Sequence, residues 1–416
     1  MQNAAPKTLG PLSRREARFA WTLLLPTILS VALVIVLPLM AIFWISFKPI
    51  ALEDLRPASA LVREQLRGKP KQSGDTAIIR YKIRNSSQKD PIFGVTLADE
   101  IPPSLEVIAV DKRCSLKGQN LNCNLGEFEG GQRETLEISV IAKQDYFNNN
   151  PKITDSIAKV TGRGENILTN FNFTLKNFVH VFDSAEFWTV IYATLFYTVF
   201  GTIGALVVGL FTALLLNIDF RGKGLIRGLY LFPYVAPVIA VAFAWVILFD
   251  PFSGSINALL VQMGVVDTPI NFFGQKPYAL IMVTVFEIWR YFPLSFLFIL
   301  ARMQAIDVEM YEAADMDGAS PFQIFWYLSL PTLMGILSIL FLLRFIWTFN
   351  KFDDIFLLTG GSADTRTLTV NVYEQAFAVS NIGAGAAVAV VILSFYFSFQ
   401  FFSFVFSIGR RAFEFE

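Results

Sequence analysis

The chain has 416 residues, of which 54% are hydrophobic and 16% charged; an ordinary soluble protein carries about 25% charge, so the composition sets the chain outside the soluble range and points to a membrane. Lysine and arginine total 34 against 34 aspartate and glutamate, so net charge gives no reason to expect a nucleic-acid partner or an acidic one, and the placement of the charges carries the information instead.

In chain order, the first apolar run is Phe19 to Phe47, preceded by Lys7, Arg14, Arg15 and Arg18. It is too long for a signal-peptide core and no A-x-A-like site follows, so it reads as an uncleaved membrane anchor. From about Pro49 to Asn177 the composition turns polar and charged. Within that insert TAIIRYKIRN, FGVTLADEI, LEVIAV, LNCNLGEF and ETLEISVIAK alternate in part between apolar and polar, and Pro, Gly and Asn turns punctuate them. The pattern resembles a small immunoglobulin-like β-sandwich at about residues 75–165. The two cysteines, Cys114 and Cys123, flank a short loop that brings neighbouring strands together, and a disulfide is expected between them in an oxidising compartment. Two separate buried thiols are the alternative. With one histidine, His180, far along the chain, no metal site is expected.

Five further runs are each long enough to cross a bilayer, which takes about 20 residues: Phe187 to Leu216, Ile226 to Phe249, Ala279 to Ala301, Leu333 to Leu358 and Ala384 to Ile408. The expected fold is therefore all-α and polytopic, with six spans and an inserted extracytoplasmic β-sandwich. Its parts are an N-terminus and first span (1–48), the insert (49–177) and a five-helix core (178–416). Arg221, Lys223 and Arg227 between the second and third spans, and Arg410 and Arg411 after the last, place both termini in the cytoplasm by the positive-inside rule. The segment 302–331 falls on the same side, yet it has one Arg against Asp307, Glu309, Glu312, Asp315 and Asp317.

That segment contains EAADMDGASPFQIFWYLSLP. Glu312 to Asp317 reads as helix, Gly318 as a hinge, and Ser320–Pro321 as an N-cap with a first-turn proline. A second short helix then carries Phe322, Phe325 and Trp326 on one face before Pro331 opens the fifth span. Ionisable residues within spans mark a pathway by default. Glu287 and Arg290 are three apart on the fourth span and are expected to neutralise each other, while Arg344, Thr348 and Lys351 share a face of the fifth.

No G-x-x-x-x-G-K-[ST] loop is present, and one histidine leaves little for a nucleophile–base arrangement. The order E-A-A, three residues, Gly, nine residues, a large aliphatic, one residue, L-P is met by Glu312, Ala313, Ala314, Gly318, Leu328, Leu330 and Pro331. It resembles the signature loop of permease subunits of ABC importers. LFPYVAP from Leu231, INALL from Ile256, IWTFNKFDDIFLLTGG from Ile346 and VYEQAF from Val372 are similar to the carbohydrate-uptake, maltose-type branch of that family, specifically its larger membrane subunit.

The resemblance implies a bacterial inner-membrane, non-enzymatic permease for a sugar. Its implied partners are a second, related permease, a dimer of ATPase subunits that hold ATP and Mg, an extracytoplasmic sugar-binding protein and the lipid bilayer, with no nucleic acid and no cofactor on this chain. It further implies that Glu312, Ala313, Ala314, Asp317, Gly318, Phe322, Phe325 and Pro331 couple to the ATPase. The family's sugar-contacting positions fall on Tyr234, Val238, Glu287, Arg290, Tyr291, Arg344, Thr348 and Lys351, several of which are uncharged in the maltose subunit. Internal pairing of these charges is the alternative. Two rival functions are a sensor whose insert binds ligand, and a membrane enzyme on lipid-linked sugar using Glu287 or Asp353.

Overall fold

The computed structural model describes residues 11–149 and 158–413 and divides into two compact units, Met1–Asn177 with Val379–Gly383, and Phe178–Ala378 with Ala384–Glu416. Lys7 lies outside the described residues, as do the side chains of Arg14, Arg410 and Arg411.

Among the described residues of the first unit, eight strands form two antiparallel sheets: β1 (Ala60–Arg67), β2 (Thr76–Asn85), β7 (Arg133–Ala142) and β4 (Leu105–Ala109) in one, and β5 (Cys114–Lys117), β6 (Asn120–Phe128), β3 (Ile92–Glu100) and β8 (Lys159–Gly164) in the other. Strict alternation drives the packing. Ala77, Ile79, Tyr81 and Ile83 of β2 point inward and meet Leu136, Ile138 and Val140 of β7 together with Leu97, Leu121 and Phe128 of the facing sheet. Each such apolar side chain stabilises the fold by roughly 1.5–3 kcal/mol when fully buried. The sandwich starts at Ala60, earlier than expected, because β1 is an edge strand with Glu64 at an inward-facing position, which blurs its alternation. Cys114 and Cys123 sit opposite each other across β5 and β6 and are joined by a disulfide.

Helix α1 (Arg18–Ser46) precedes the sandwich and is apolar along its length, with almost all its side chains exposed. Its end is stitched to the far end of the insert. Trp44 Nε1 donates to the Leu168 carbonyl at 2.8 Å, the fully buried Lys48 ammonium donates to Asn170 Oδ1 at 2.8 Å, and Asn177 Nδ2 donates to the carbonyls of Ser46 and Lys48 at 2.9 and 2.7 Å. The two ends of the insert are thus fastened together.

The second unit is helical: α2 (Phe187–Asn217), α3 (Lys223–Val235), α4 (Val238–Leu248), α5 (Tyr278–Gln304), α6 (Val308–Met316), α7 (Pro321–Phe349), α8 (Asp353–Thr359) and α9 (Ile382–Phe413). Helix α2 presents small residues, Ala193, Gly201, Ala205 and Gly209 among them, and α5 packs directly on this stripe; a Cβ on Gly209 would lie 2.9 Å from the Phe296 backbone nitrogen. Small residues permit such close helix contacts in a bilayer, where lipid tails compete equally with apolar side chains.

Two expectations are corrected here. The third run is not one straight span: α3 and α4 meet at 89°, because Pro233 and Pro237 interrupt the helix and Ala236 is extended. The fifth ends at Phe349, with α8 a separate helix, and it begins ten residues before Pro331 would have opened it. Helix α7 runs unbroken from Pro321 through a π-helical turn at Phe325–Ser329, and Pro331 sits within it. Among the described residues four helices, α1, α2, α5 and α7, are by themselves long and apolar enough to span, the bent α3–α4 pair makes five, and of the sixth expected span Ile382–Ser398 is a shorter apolar helix.

Candidate functional site

A buried polar network lies where α2, α5 and α7 converge. Glu287 of α5 is fully buried, and its Oε1 accepts from Arg344 Nη2 at 2.6 Å and Thr348 Oγ1 at 2.8 Å, both on α7. Its Oε2 accepts from the Tyr197 hydroxyl on α2 at 2.9 Å. Arg344, Thr348 and Tyr197 are each 1% exposed. Three side chains from two helices therefore close on the Glu287 carboxylate, a geometry that makes a buried ion pair tolerable.

This arrangement overturns the expected Glu287–Arg290 pairing. Three residues along a helix is one turn short by about 60°, and the two side chains reach different neighbours. Arg290 turns to the α3–α4 break, donating through Nη1 to the Pro233 carbonyl at 3.3 Å and through Nη2 to the Ala236 carbonyl at 3.1 Å. The guanidinium thereby satisfies backbone acceptors that the bend has released. Glu287, Arg344 and Thr348 turn their polar atoms on one another, the internal pairing that was the alternative to contact with a solute.

Beside the network is a half-open cluster. The Tyr291 ring has the Arg344 guanidinium at 4.6 Å, the Lys351 ammonium at 4.3 Å and the Arg290 guanidinium at 5.6 Å from its centroid, and Lys351 also donates to the Tyr291 hydroxyl. Tyr234 stands perpendicular to Tyr291, with 6.1 Å between ring centroids, and is 39% exposed. Val238 opens α4 next to this bend. The Lys351 ammonium lies 3.6 Å from Asp353 and 3.9 Å from the buried Asp354, neither of whose oxygens has a hydrogen-bond partner among the described residues. Of the expected pathway residues, Tyr234, Val238, Tyr291 and Lys351 keep partial access, and Arg290 holds the bend. Tyr197 was missed: nothing in its spacing marks it, since its partner lies 90 residues away.

The acidic segment forms a second feature. Helix α6 ends at Met316, two residues before Gly318, whose φ of +75° admits few residues other than glycine, and the Gly318 and Ala319 amides donate to the Asp315 and Ala314 carbonyls. Ser320 caps α7 as expected, its Oγ accepting from the Gln323 amide while Gln323 Oε1 accepts from the Ser320 amide at 2.8 Å. Glu312, Ala313 and Asp317 are exposed and Ala314 is half-buried. Apolar side chains also face outward: Met316 is 88%, Phe322 72% and Tyr327 83% exposed, while Phe325 is half-buried against Trp326. The Tyr311 hydroxyl meets Ser329 Oγ at 3.2 Å and ties α6 to the π-turn.

The family described as binding-protein-dependent transport system inner membrane component matches residues 205–411. An inner membrane ABC transporter permease protein, YcjO, of Escherichia coli (strain K12) is 36% identical over 216 residues, covering 50% of this chain and 71% of that protein. The trehalose/maltose transport system permease protein MalF of Thermococcus litoralis is 32% identical over 209 residues, covering 50% and 70%. Among solved structures, a bacterial ABC transporter involved in the import of the acidic polysaccharide alginate superposes with a TM-score of 0.50 at 20% identity, covering 54% of this chain and 82% of that one, a likeness of fold.

Proposed function

The chain belongs to the family of inner membrane components of binding-protein-dependent transport systems, and on that premise we propose that it is the permease of an ABC importer, passing a sugar from an extracytoplasmic binding protein into the cytoplasm. The family is the non-catalytic membrane part of such transporters; hydrolysis of ATP with Mg falls to a dimer of ATPase subunits, and a second permease completes the path. In this reading the chain crosses the membrane six times with both termini in the cytoplasm, and the sandwich lies outside.

The observation that carries the proposal is the acidic loop. It is a preformed helix–turn–helix that exposes Met316, Phe322 and Tyr327 to solvent next to Glu312 and Asp317. Apolar side chains held out on a rigid support suit insertion into a partner's groove, and Glu312 offers a carboxylate to a basic residue of the ATPase. Tyr234, Tyr291 and Lys351 would meet the sugar, the two rings by stacking and the ammonium by donating to hydroxyls. Glu287, Arg344 and Thr348 hold the helices in place instead. That ion pairing also removes Glu287 as the acid of a membrane enzyme.

Gly318→Pro tests the coupling reading. Proline cannot adopt φ near +75° and deletes the amide that caps α6. Uptake of radiolabelled disaccharides and glycosides, with surface expression checked, should drop to background for the transported sugar in the variant. Undiminished uptake of every sugar would refute the coupling assignment and favour the sensor alternative.

A further inference from the structure

The outward face of the β1–β2–β7 sheet concentrates positive charge in a way that the sandwich itself does not need. Arg63 lies directly opposite Lys82, and Arg84 directly opposite Arg133. Directly opposed like charges destabilise an antiparallel pair. All four are exposed, and none has an ion-pair partner among the described residues. The nearby carboxylates are already engaged, Glu137 with Arg80 at 2.6 Å and Glu134 with Arg113 at 2.5 Å. With strands about 4.8 Å apart and alternate residues about 6.8 Å apart, the four cations trace a diagonal stripe roughly 12 Å long across three strands. They line a groove of about 710 Å³ with Leu61, Thr135 and the Arg113-paired Glu134.

We propose that this groove binds a soluble oligosaccharide bearing carboxylate groups, a uronate chain. Three of the four cations are arginines, whose planar forks match carboxylates two bonds at a time. A row of cations, as opposed to a single focus, suits a chain with repeated charges. The stripe offers no Trp, Tyr or Phe, the anchors on which protein partners depend, and no apolar wedge for a bilayer. The proposal rests on the saccharide-import reading and narrows its cargo to anionic glycans, gathered at the sandwich before translocation.

The test uses the purified full chain in discs of zwitterionic lipid, without ATPase or binding protein, and follows binding of a fluorescent oligogalacturonate by anisotropy. Saturable binding is expected, falling at least tenfold when salt rises from 50 to about 300 mM, since such contacts are screened beyond about 10 Å at 0.1 M. Arg63→Gln/Arg84→Gln/Arg133→Gln should weaken it at least tenfold with circular dichroism unchanged, whereas Arg80→Gln, which removes a cation already paired on the same face, should change it less than twofold. Equal affinity in the triple variant, equal binding of a neutral glucan oligosaccharide, or binding only to phosphatidylglycerol vesicles or to an acidic protein would each overturn the proposal. Because transport plays no part in this assay, failure here with Gly318-dependent uptake intact leaves the importer reading standing.

Discussion

Replacing Arg344 by methionine is the sharpest test of how the helical unit is held. The substitution removes the one cation that donates to Glu287 and leaves that carboxylate fully buried with only the Thr348 and Tyr197 hydroxyls. Removing one partner of a buried pair costs about 3–5 kcal/mol. Inserted but unpacked helices still find some partners, which favours the lower end, about 3 kcal/mol. At about 1.4 kcal/mol per tenfold, that is a little over a hundredfold in the ratio of unfolded to folded chains. Glu287→Met strands Arg344 in turn and should cost about as much. In Glu287→Met/Arg344→Met no charge is left behind, and the remaining cost is that of two hydroxyls without an acceptor, about 1 kcal/mol each. The double variant should therefore be more stable than either single one. Dodecyl sulfate titration of the purified chain in mixed micelles, read by tryptophan fluorescence, measures all four proteins. The reasoning fails if Arg344→Met costs less than about 1 kcal/mol, or if the double variant is no more stable than the singles.

Gly209→Ala should loosen the α2–α5 contact, since its Cβ would stand 2.7 Å from Ser295 Cβ and 2.9 Å from a backbone nitrogen that cannot rotate away; the same titration should show a loss of about 1–3 kcal/mol, typical of overpacking. The Glu64 carboxyl is pushed up to about 8, first by burial and then by the negative charge of Asp99. The folded sandwich accordingly holds a proton that the unfolded chain has released above its ordinary value of 4.5, so stability is lost as pH rises from about 4.5 to about 8. Calorimetry of the full chain should show the sandwich transition falling in temperature across that window in the wild type and far less in Glu64→Gln.

What the sequence disclosed follows burial. The strands legible in it, β2, β3, β6 and β7, occupy the middle of the two sheets, where every second side chain must enter the core. Of the edge strands, β4 alone was legible; β1, β5 and β8 escaped, being charged, short or glycine-containing, as edges that resist aggregation are. Apolar runs likewise disclosed four long apolar helices and the bent pair but not their ends. Pro237 broke one run and Pro331 did not break another, because a π-turn just before Pro331 absorbs the mismatch. At the polar network, helical spacing correctly set Arg344 and Thr348 on one face, but which of two cations Glu287 would choose depends on neighbouring helices, and that choice is absent from any single segment.

The continuity of α7 gives the network its mechanical meaning. Had Pro331 parted a coupling helix from the span, movement at the loop would reach the bundle only through a joint. Instead one helix of 29 residues, about 43 Å long, starts at the exposed Pro321–Phe322 end and carries Arg344 and Thr348 near its other end. Those two side chains grip Glu287 on α5, which in turn holds Tyr197 on α2, while Arg290 on α5 fastens the α3–α4 bend. A displacement imposed on the loop is passed to α2, α5, α7 and the bend together, because pulling Arg344 from Glu287 would strand buried charge at about 3–5 kcal/mol and shear elsewhere would break the Tyr197 and Arg290 hydrogen bonds. Rigid-body rocking is the motion that leaves every one of these contacts intact. The cluster of Tyr234, Tyr291 and Lys351 rides on that body, so access to it would change by rotation of the whole assembly, without repacking of its interior.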